Sequence, residues 1–254
     1  MKQIIISLLA AITLFACSAP EYKITGTIEG AADGDSVQLG YSNNGIDFTA
    51  VATTTITDGQ FQFTGKQDGC KIYYISYPKE ESPIYALFFL EGGEITADIA
   101  LNYSNITGTP MNDLNIQIED SLESYVIKML NLQDKIYRDS TLSDESKALI
   151  YTKNDSIQHE AMAYIQNTIV DNIDNMVGLF LLVQYSDLFD NEELADLIAA
   201  VPAASKDPDN NPLFDILLEV QTMRTTDDAM DDISNSINEG IEDFNLEEGE
   251  GIIE

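Results

Sequence analysis

Active sites and metal centres draw mostly on histidine, cysteine and paired carboxylates. This chain has one His, two Cys and 44 acidic residues. The single histidine, His159, sits between Gln158 and Glu160 in a helical stretch. A His-based triad or His-rich metal site is therefore unavailable. Asp207-Pro208-Asp209-Asn210-Asn211-Pro212 offers oxygen ligands at the first, third and fifth positions of a calcium loop. It puts Pro212 where that loop needs glycine, and Leu218 where it needs a bidentate acid. It reads as a polar loop ending in an N-cap and a first-turn proline. Glu80-Glu81, Asp227-Asp228, Asp231-Asp232 and Glu247-Glu248 are carboxylate pairs, but composition alone would produce them. An acid–base pair needs one carboxylate desolvated and the other not. No P-loop, G-x-S-x-G elbow or dinucleotide-binding glycine pattern occurs. No catalytic residue, cofactor or metal ligand is expected, and the chain does not read as an enzyme. Tyr73, Tyr74, Tyr77 and Tyr85 cluster on adjacent strands and form the one candidate ligand surface, although sandwich packing would also account for them.

The N-terminus carries chemistry of another kind. Met1-Lys2-Gln3 is a short basic start, followed by an apolar run from Ile4 to Phe15. About 12 residues cannot span a ~30 Å hydrocarbon core as a helix, and the run stands where a secretory signal stands. Leu14-Phe15-Ala16-Cys17 resembles the bacterial lipobox. That resemblance implies cleavage after residue 16, a diacylglycerol thioether on Cys17 and acylation of its new amine. Each buried CH₂ of such chains contributes about 0.8 kcal/mol, so three chains anchor stably. Residues 1–16 are expected as a signal peptide and 17–21 as a lipidated tether. Cys70 is then the only cysteine left, so no internal disulfide is expected, and no C-x-x-C exists. With no basic cluster beside it, Cys70 reads as a small hydrophobe.

Charge narrows the partners. The formal net charge is −32, and residues 187–254 alone hold 20 acids against two bases. Such a field repels phosphate backbones, so nucleic acid is excluded as a partner. The membrane, through the lipid on Cys17, and an envelope protein remain.

The elements that position these residues fall into two textures. From Tyr22 onward, apolar residues alternate in short runs: Tyr22–Ile28, Val37–Tyr41, Phe48–Ile56, Phe61–Phe63, Ile72–Tyr77, Ile84–Leu90 and Ile95–Ile99. Asp33-Gly34, Asn43-Asn44-Gly45, Asp58-Gly59 and Gly92-Gly93 mark turns between them. This is the pattern of an antiparallel β-sandwich over residues 22–109. Thr109-Pro110 then opens a helix, as N-cap and first helical residue. Met111, Leu114, Ile118, Leu122, Tyr125, Met129, Leu132 and Ile136 recur at spacings of three and four. Ser143 caps a second helix, to about Val170. A third runs from Asn172 to Tyr185 and a fourth is capped by Asp190 with Glu193. Another starts at Asn211-Pro212, and a last one runs from Thr226 through Phe244. The fold class expected is α+β: an N-terminal antiparallel β-sandwich, an all-helical segment over 110–244, and an acidic frayed tail over 245–254. Strands and helices do not alternate, so no parallel βαβ sheet is expected.

Several blocks together resemble a known family. They are Tyr22–Ile28, the Asp33-Gly34 turn with Val37-Gln38-Leu39, Thr57–Gly65, Phe88–Gly93 and Gly108-Thr109. Their order and spacing are similar to the uncharacterised N-terminal β domain of Bacteroidota envelope lipoproteins. In many relatives a helical segment and a thioredoxin-like domain follow. The C-x-x-C of that domain is missing from this sequence, so the resemblance implies a form without the catalytic domain. Two functions follow as expectations. The first is a lipid-anchored envelope protein, in the outer membrane and facing the periplasm, with a non-catalytic binding or accessory role. The second is an accessory of a periplasmic thiol–disulfide pathway that docks a redox partner.

Overall fold

The computed structural model describes residues 21–42, 48–66, 72–79, 83–207 and 211–226. Eight strands come first: β1 Glu21–Ile28, β2 Ser36–Tyr41, β3 Thr49–Thr55, β4 Phe61–Lys66, β5 Ile72–Tyr77, β6 Ile84–Phe89, β7 Gly93–Ala100 and β8 Tyr103–Thr107. They form two four-stranded sheets, ordered β4-β1-β7-β8 and β3-β2-β5-β6. Alternation along each strand directs Ile24, Val37, Leu39, Phe61, Ile75, Phe88 and Ile95 between the sheets, where they make the first core. The α+β class and the sandwich agree with the sequence pattern. One ladder departs from antiparallel pairing: β1 and β7 run parallel, Tyr22 beside Gly93 through Ile28 beside Ile99. Parallel neighbours need a long crossover; here it runs through β2, β3, β5 and β6, which build the other sheet, and through β4, which pairs with the far side of β1.

The Asp58-Gly59 turn is where the sequence puts it, with φ of 53° and 75°, the left-handed pair of a type I′ turn. Its hairpin is short. Only Thr57 and Gln60 bridge across it, because β3 and β4 belong to different sheets. That turn closes one side of the sandwich. The opposite side is bounded by the edge strands β6 and β8, and a helix covers it.

This helix, α1 (Pro110–Arg138), pairs with α2 (Asp144–Asp171). Short helices α3 (Met176–Gln184) and α4 (Asn191–Ala200) follow, then α5 over residues 212–226. Ser143 caps α2 and the Asp190/Glu193 capping box starts α4, both as expected. The third helix starts later than Asn172. Asn175 caps it, accepting from the N–H groups of Val177 and Gly178, while Asn172 instead ends α2. Gly178 lies so close to the Asn172 carbonyl that any Cβ there would collide with backbone. Thr109 occupies the N-cap position of α1 without capping through its side chain. Glu91, arriving from the β6–β7 turn, accepts from Met111 N–H at 2.8 Å instead.

The second core joins the two textures. Ile72 and Phe89 project from the outer face of the β5–β6 sheet into a cluster with Ile118, Ile169, Leu179, Leu182, Leu194 and Leu217. Phe89 meets the ring of Phe180 edge-on at 5.9 Å. Arg224 ties α5 back by donating to the Phe189 carbonyl at 3.0 Å and pairing with Asp187. No described helix is long and apolar enough to cross a membrane.

The α1–α2 hairpin is uneven along its length. Its 29-residue first helix is about 43 Å long, whereas an eight-residue strand spans about 26 Å. Beyond the sheet Leu132 and Ile157 are buried, while Val126, Ile127, Leu130, Leu149 and Tyr151 are exposed. Few buried contacts mean low local stability. In native-state hydrogen exchange, amides of residues 126–152 are expected to exchange at least tenfold faster than those of β1, β5 and β7. Equal protection would show that the hairpin opens only with the whole molecule.

Candidate functional site

The four tyrosines do not form one surface. Strand alternation divides them between two faces. Tyr73 and Tyr77 point into the sandwich and are each 4% exposed. Tyr74 packs against the helical core. Only Tyr85 is exposed, at 54%. Adjacency in sequence hid this, because neighbouring residues of a strand face opposite ways. Tyr77 donates its hydroxyl to Asp35, which also accepts from Ala32 N–H at 2.9 Å. These bonds hold the Asp35 carboxyl below its ordinary range, the backbone bond first. The same contact, helped by burial, pushes the Tyr77 phenol up.

Other sequence candidates resolve as structure. Asp33 accepts from Asp58 and Gly59 N–H at 3.1 and 2.9 Å, so it holds the hairpin turn. His159 turns its Nδ1 to the Asp155 carbonyl one helical turn back, at 2.7 Å. Asn211 is fully buried and donates to the Ser205 carbonyl, but its Oδ1 has no partner among the described residues. It therefore does not cap α5 through its side chain. Cys17, Cys70, Asp209 and Asn210, and the four carboxylate pairs, lie outside the described residues.

The structure brings a different set together, at the side of the sandwich that α1 covers. Asn112, two residues into α1, lies flat against the edge of β6. It accepts from Phe89 N–H at 2.9 Å and donates to the Phe89 carbonyl at 2.7 Å and to Thr109 Oγ1 at 2.7 Å. One side-chain amide thus replaces a neighbouring strand. The unbroken β5–β6 register, Phe89 opposite Ile72 through Ile84 opposite Tyr77, means Leu87 and Tyr85 also turn their backbone groups outward. Further along α1, the helix draws away from this edge and leaves a cleft of about 530 Å³. Its walls are the start of β6, the β7–β8 turn and the start of β8, and Glu119 of α1 reaches into it.

The cleft is mixed in character. Tyr85 and Tyr103 stand at its sides, Tyr103 at 61% exposure. Phe48 supports the Tyr85 ring edge-on at 5.8 Å, lying over Gly40, where a Cβ would strike the Phe48 ring. Asn115 donates to Glu119 Oε1 at 2.7 Å and fixes the carboxylate. Partial burial against the cleft wall raises the Glu119 pKa, and the charge of Asp120 adds to this, while the Asn115 bond opposes it. Glu119 nevertheless remains exposed to solvent. A volume of this size falls in the range of small-ligand sites.

The apolar stripe of α1 was legible in the sequence, and beside it runs a second, polar one. Asn112, Asn115 and Glu119 are spaced three and four apart, so they share a helix face. That spacing was the available signal for this site, and the tyrosine cluster obscured it. No curated protein matches the chain. Residues 22–115, which run from β1 through the sandwich into the second turn of α1 and include Asn112 and Asn115, match a family model described as a domain of unknown function (DUF4369).

Proposed function

We propose that this protein is a lipid-anchored component of the bacterial cell envelope that binds a ligand without transforming it. The relation between anchor and cleft carries this reading. Cys17 stands four residues before β1, a tether of at most about 14 Å. β1 is a central strand, and its first residues lie beside Gly93 at the start of β7. The cleft is lined by the other end of β7. An acylated Cys17 would hold the first end of the sandwich at the membrane and present the cleft away from it. The outer membrane, periplasmic side, is the location proposed. The lipobox resemblance supports the anchor, and the mixed aromatic and polar cleft supports binding.

Replacing Cys17 with alanine tests the anchor. The full-length variant is expected to leave the detergent-extractable membrane fraction almost wholly for the soluble one. Unchanged fractionation would overturn the proposal.

The match over residues 22–115 agrees with an uncharacterised N-terminal domain, and relatives of the resembled type carry thioredoxin-like domains. A second reading follows, in which the protein docks a separate thiol–disulfide enzyme of the periplasm. Crosslinking in intact envelopes separates the two readings, since enrichment of thiol–disulfide oxidoreductases is expected only under the second.

A further inference from the structure

We propose that the cleft between β6, β8 and α1 takes a protonated amine or guanidinium group carried on an apolar stem, with Glu119 as its counter-charge and the Tyr85 and Tyr103 rings against the stem. The inference rests on reading this cleft as a binding site and specifies the chemistry of its ligand.

Three observations lead to it. First, Glu119 is the acid in the cleft wall, and it has no cation paired with it among the described residues. Its recorded hydrogen bond is to the neutral amide of Asn115. The ion pairs found among the described residues join Arg138 to Asp134, Lys147 to Asp144 and Arg224 to Asp187. Among the described residues the cleft wall contributes no lysine or arginine. A carboxylate held in a cleft wall by a neutral amide, with no basic side chain described beside it, attracts a cation that enters the cleft. Second, the exposed rings of Tyr85 and Tyr103 offer π faces, and cations are attracted to such faces within about 6 Å of the centroid. Phe48 packs edge-on against the Tyr85 ring. Third, the chain carries a formal net charge of −32, which favours the approach of cations over anions.

Among the described residues, the titratable groups that share the cleft with Glu119 are Tyr85 from β6 and Tyr103 from β8, with Asp120 and, one turn on, Glu123 on its own helix. None is basic. Binding is therefore strongest above the raised titration range of Glu119 and weakens as pH falls through it, because protonation removes the counter-charge.

Alkylammonium groups come from two sources, polyamines and lysine side chains. Calorimetric titration of the full chain in a non-sugar detergent at low salt tests both. The probes are 1,5-diaminopentane, Nα-acetyl-lysine amide, the uncharged isostere Nα-acetyl-norleucine amide, and cellobiose. Both amines are expected to bind at least tenfold more tightly than the norleucine amide. Glu119→Gln should weaken them about tenfold, and Tyr103→Ala should weaken them several-fold with the fold intact. Preference for the lysine amide assigns the site to a polypeptide, and preference for the diamine assigns it to polyamines. Equal binding of the norleucine amide, no binding of either amine, or an unchanged Kd in Glu119→Gln each overturns the inference. Cellobiose binding that survives Glu119→Gln would replace it with a glycan site and leave the binding role standing. Membrane fractionation of Glu119→Gln is expected to match the parent, so failure here and failure of the anchor are separately visible.

Discussion

Phe89→Ala is expected to destabilise the protein by about 3–5 kcal/mol, the range for truncating a buried phenylalanine. The side chain is 1% exposed and belongs to the helical core although it sits on a strand. It fills the space between the outer face of the β5–β6 sheet and α3, where it meets Phe180. Collapse around the cavity is limited because the sheet behind it is pinned by the sandwich. The larger consequence is for cooperativity. Phe89 and Ile72 are the buried sheet residues in that core, so losing one weakens the link between sandwich and helices. Urea unfolding followed by far-ultraviolet circular dichroism and by tyrosine fluorescence is expected to give coincident transitions in the parent. In the variant they should separate, the helical signal being lost first. A single transition shifted by less than about 1 kcal/mol would show that the helices do not depend on this contact.

Asn112→Ala is expected to cost about 2–4 kcal/mol, despite removing only a small polar side chain. Its amide satisfies both outward backbone groups of Phe89 and also bonds Thr109, and the residue is 2% exposed. Deleting it leaves a buried N–H and a buried C=O without partners, each costing about 1–3 kcal/mol. Alanine cannot reach either, and the site is too enclosed for free hydration. Asn112→Asp makes an informative companion. It keeps an acceptor for Phe89 N–H but places a carboxylate against the Phe89 carbonyl, so it should be at least as destabilising as alanine. Thermal unfolding of the three proteins checks the ranking. If Asn112→Ala melts within a degree or two of the parent, the amide is not substituting for a strand.

The two substitutions lie at one junction, and only one side of it was readable beforehand. Turn chemistry and alternation located the strands because both act over a few residues. Asp58-Gly59 adopts the left-handed pair that its residues favour, and Tyr22 to Ile28 alternate as a half-buried strand must. Helix starts at Ser143 and Asp190 were equally local, since a side-chain oxygen two or three residues from an N–H needs no tertiary help. At α1 the N-cap position of Thr109 and the leading Pro110 hold as read, but the side-chain acceptor for Met111 N–H is Glu91, from another element. Cap chemistry failed at Asn172, where two asparagines compete and the end of one helix claims the first.

What the amino-acid sequence determined by itself was the α+β class, the order of strands before helices, the shortage of His and Cys chemistry and the net charge of −32. It also supplies the lipobox-like Leu14–Cys17, on which the proposed anchor rests. Each depends on composition or on spacing along the chain. Tertiary structure decided which residues meet. A strand shows both faces to its neighbours, so the sheet pairing alone sent Tyr73 and Tyr77 inward and left Tyr85 outside. Glu119 was one acid among 44 until the departure of α1 from the β6 edge placed it in a cleft where no described residue supplies a counter-ion. Such placement depends on contacts between residues far apart in sequence, β6 and β8 with α1, and no local pattern encodes the distance between them.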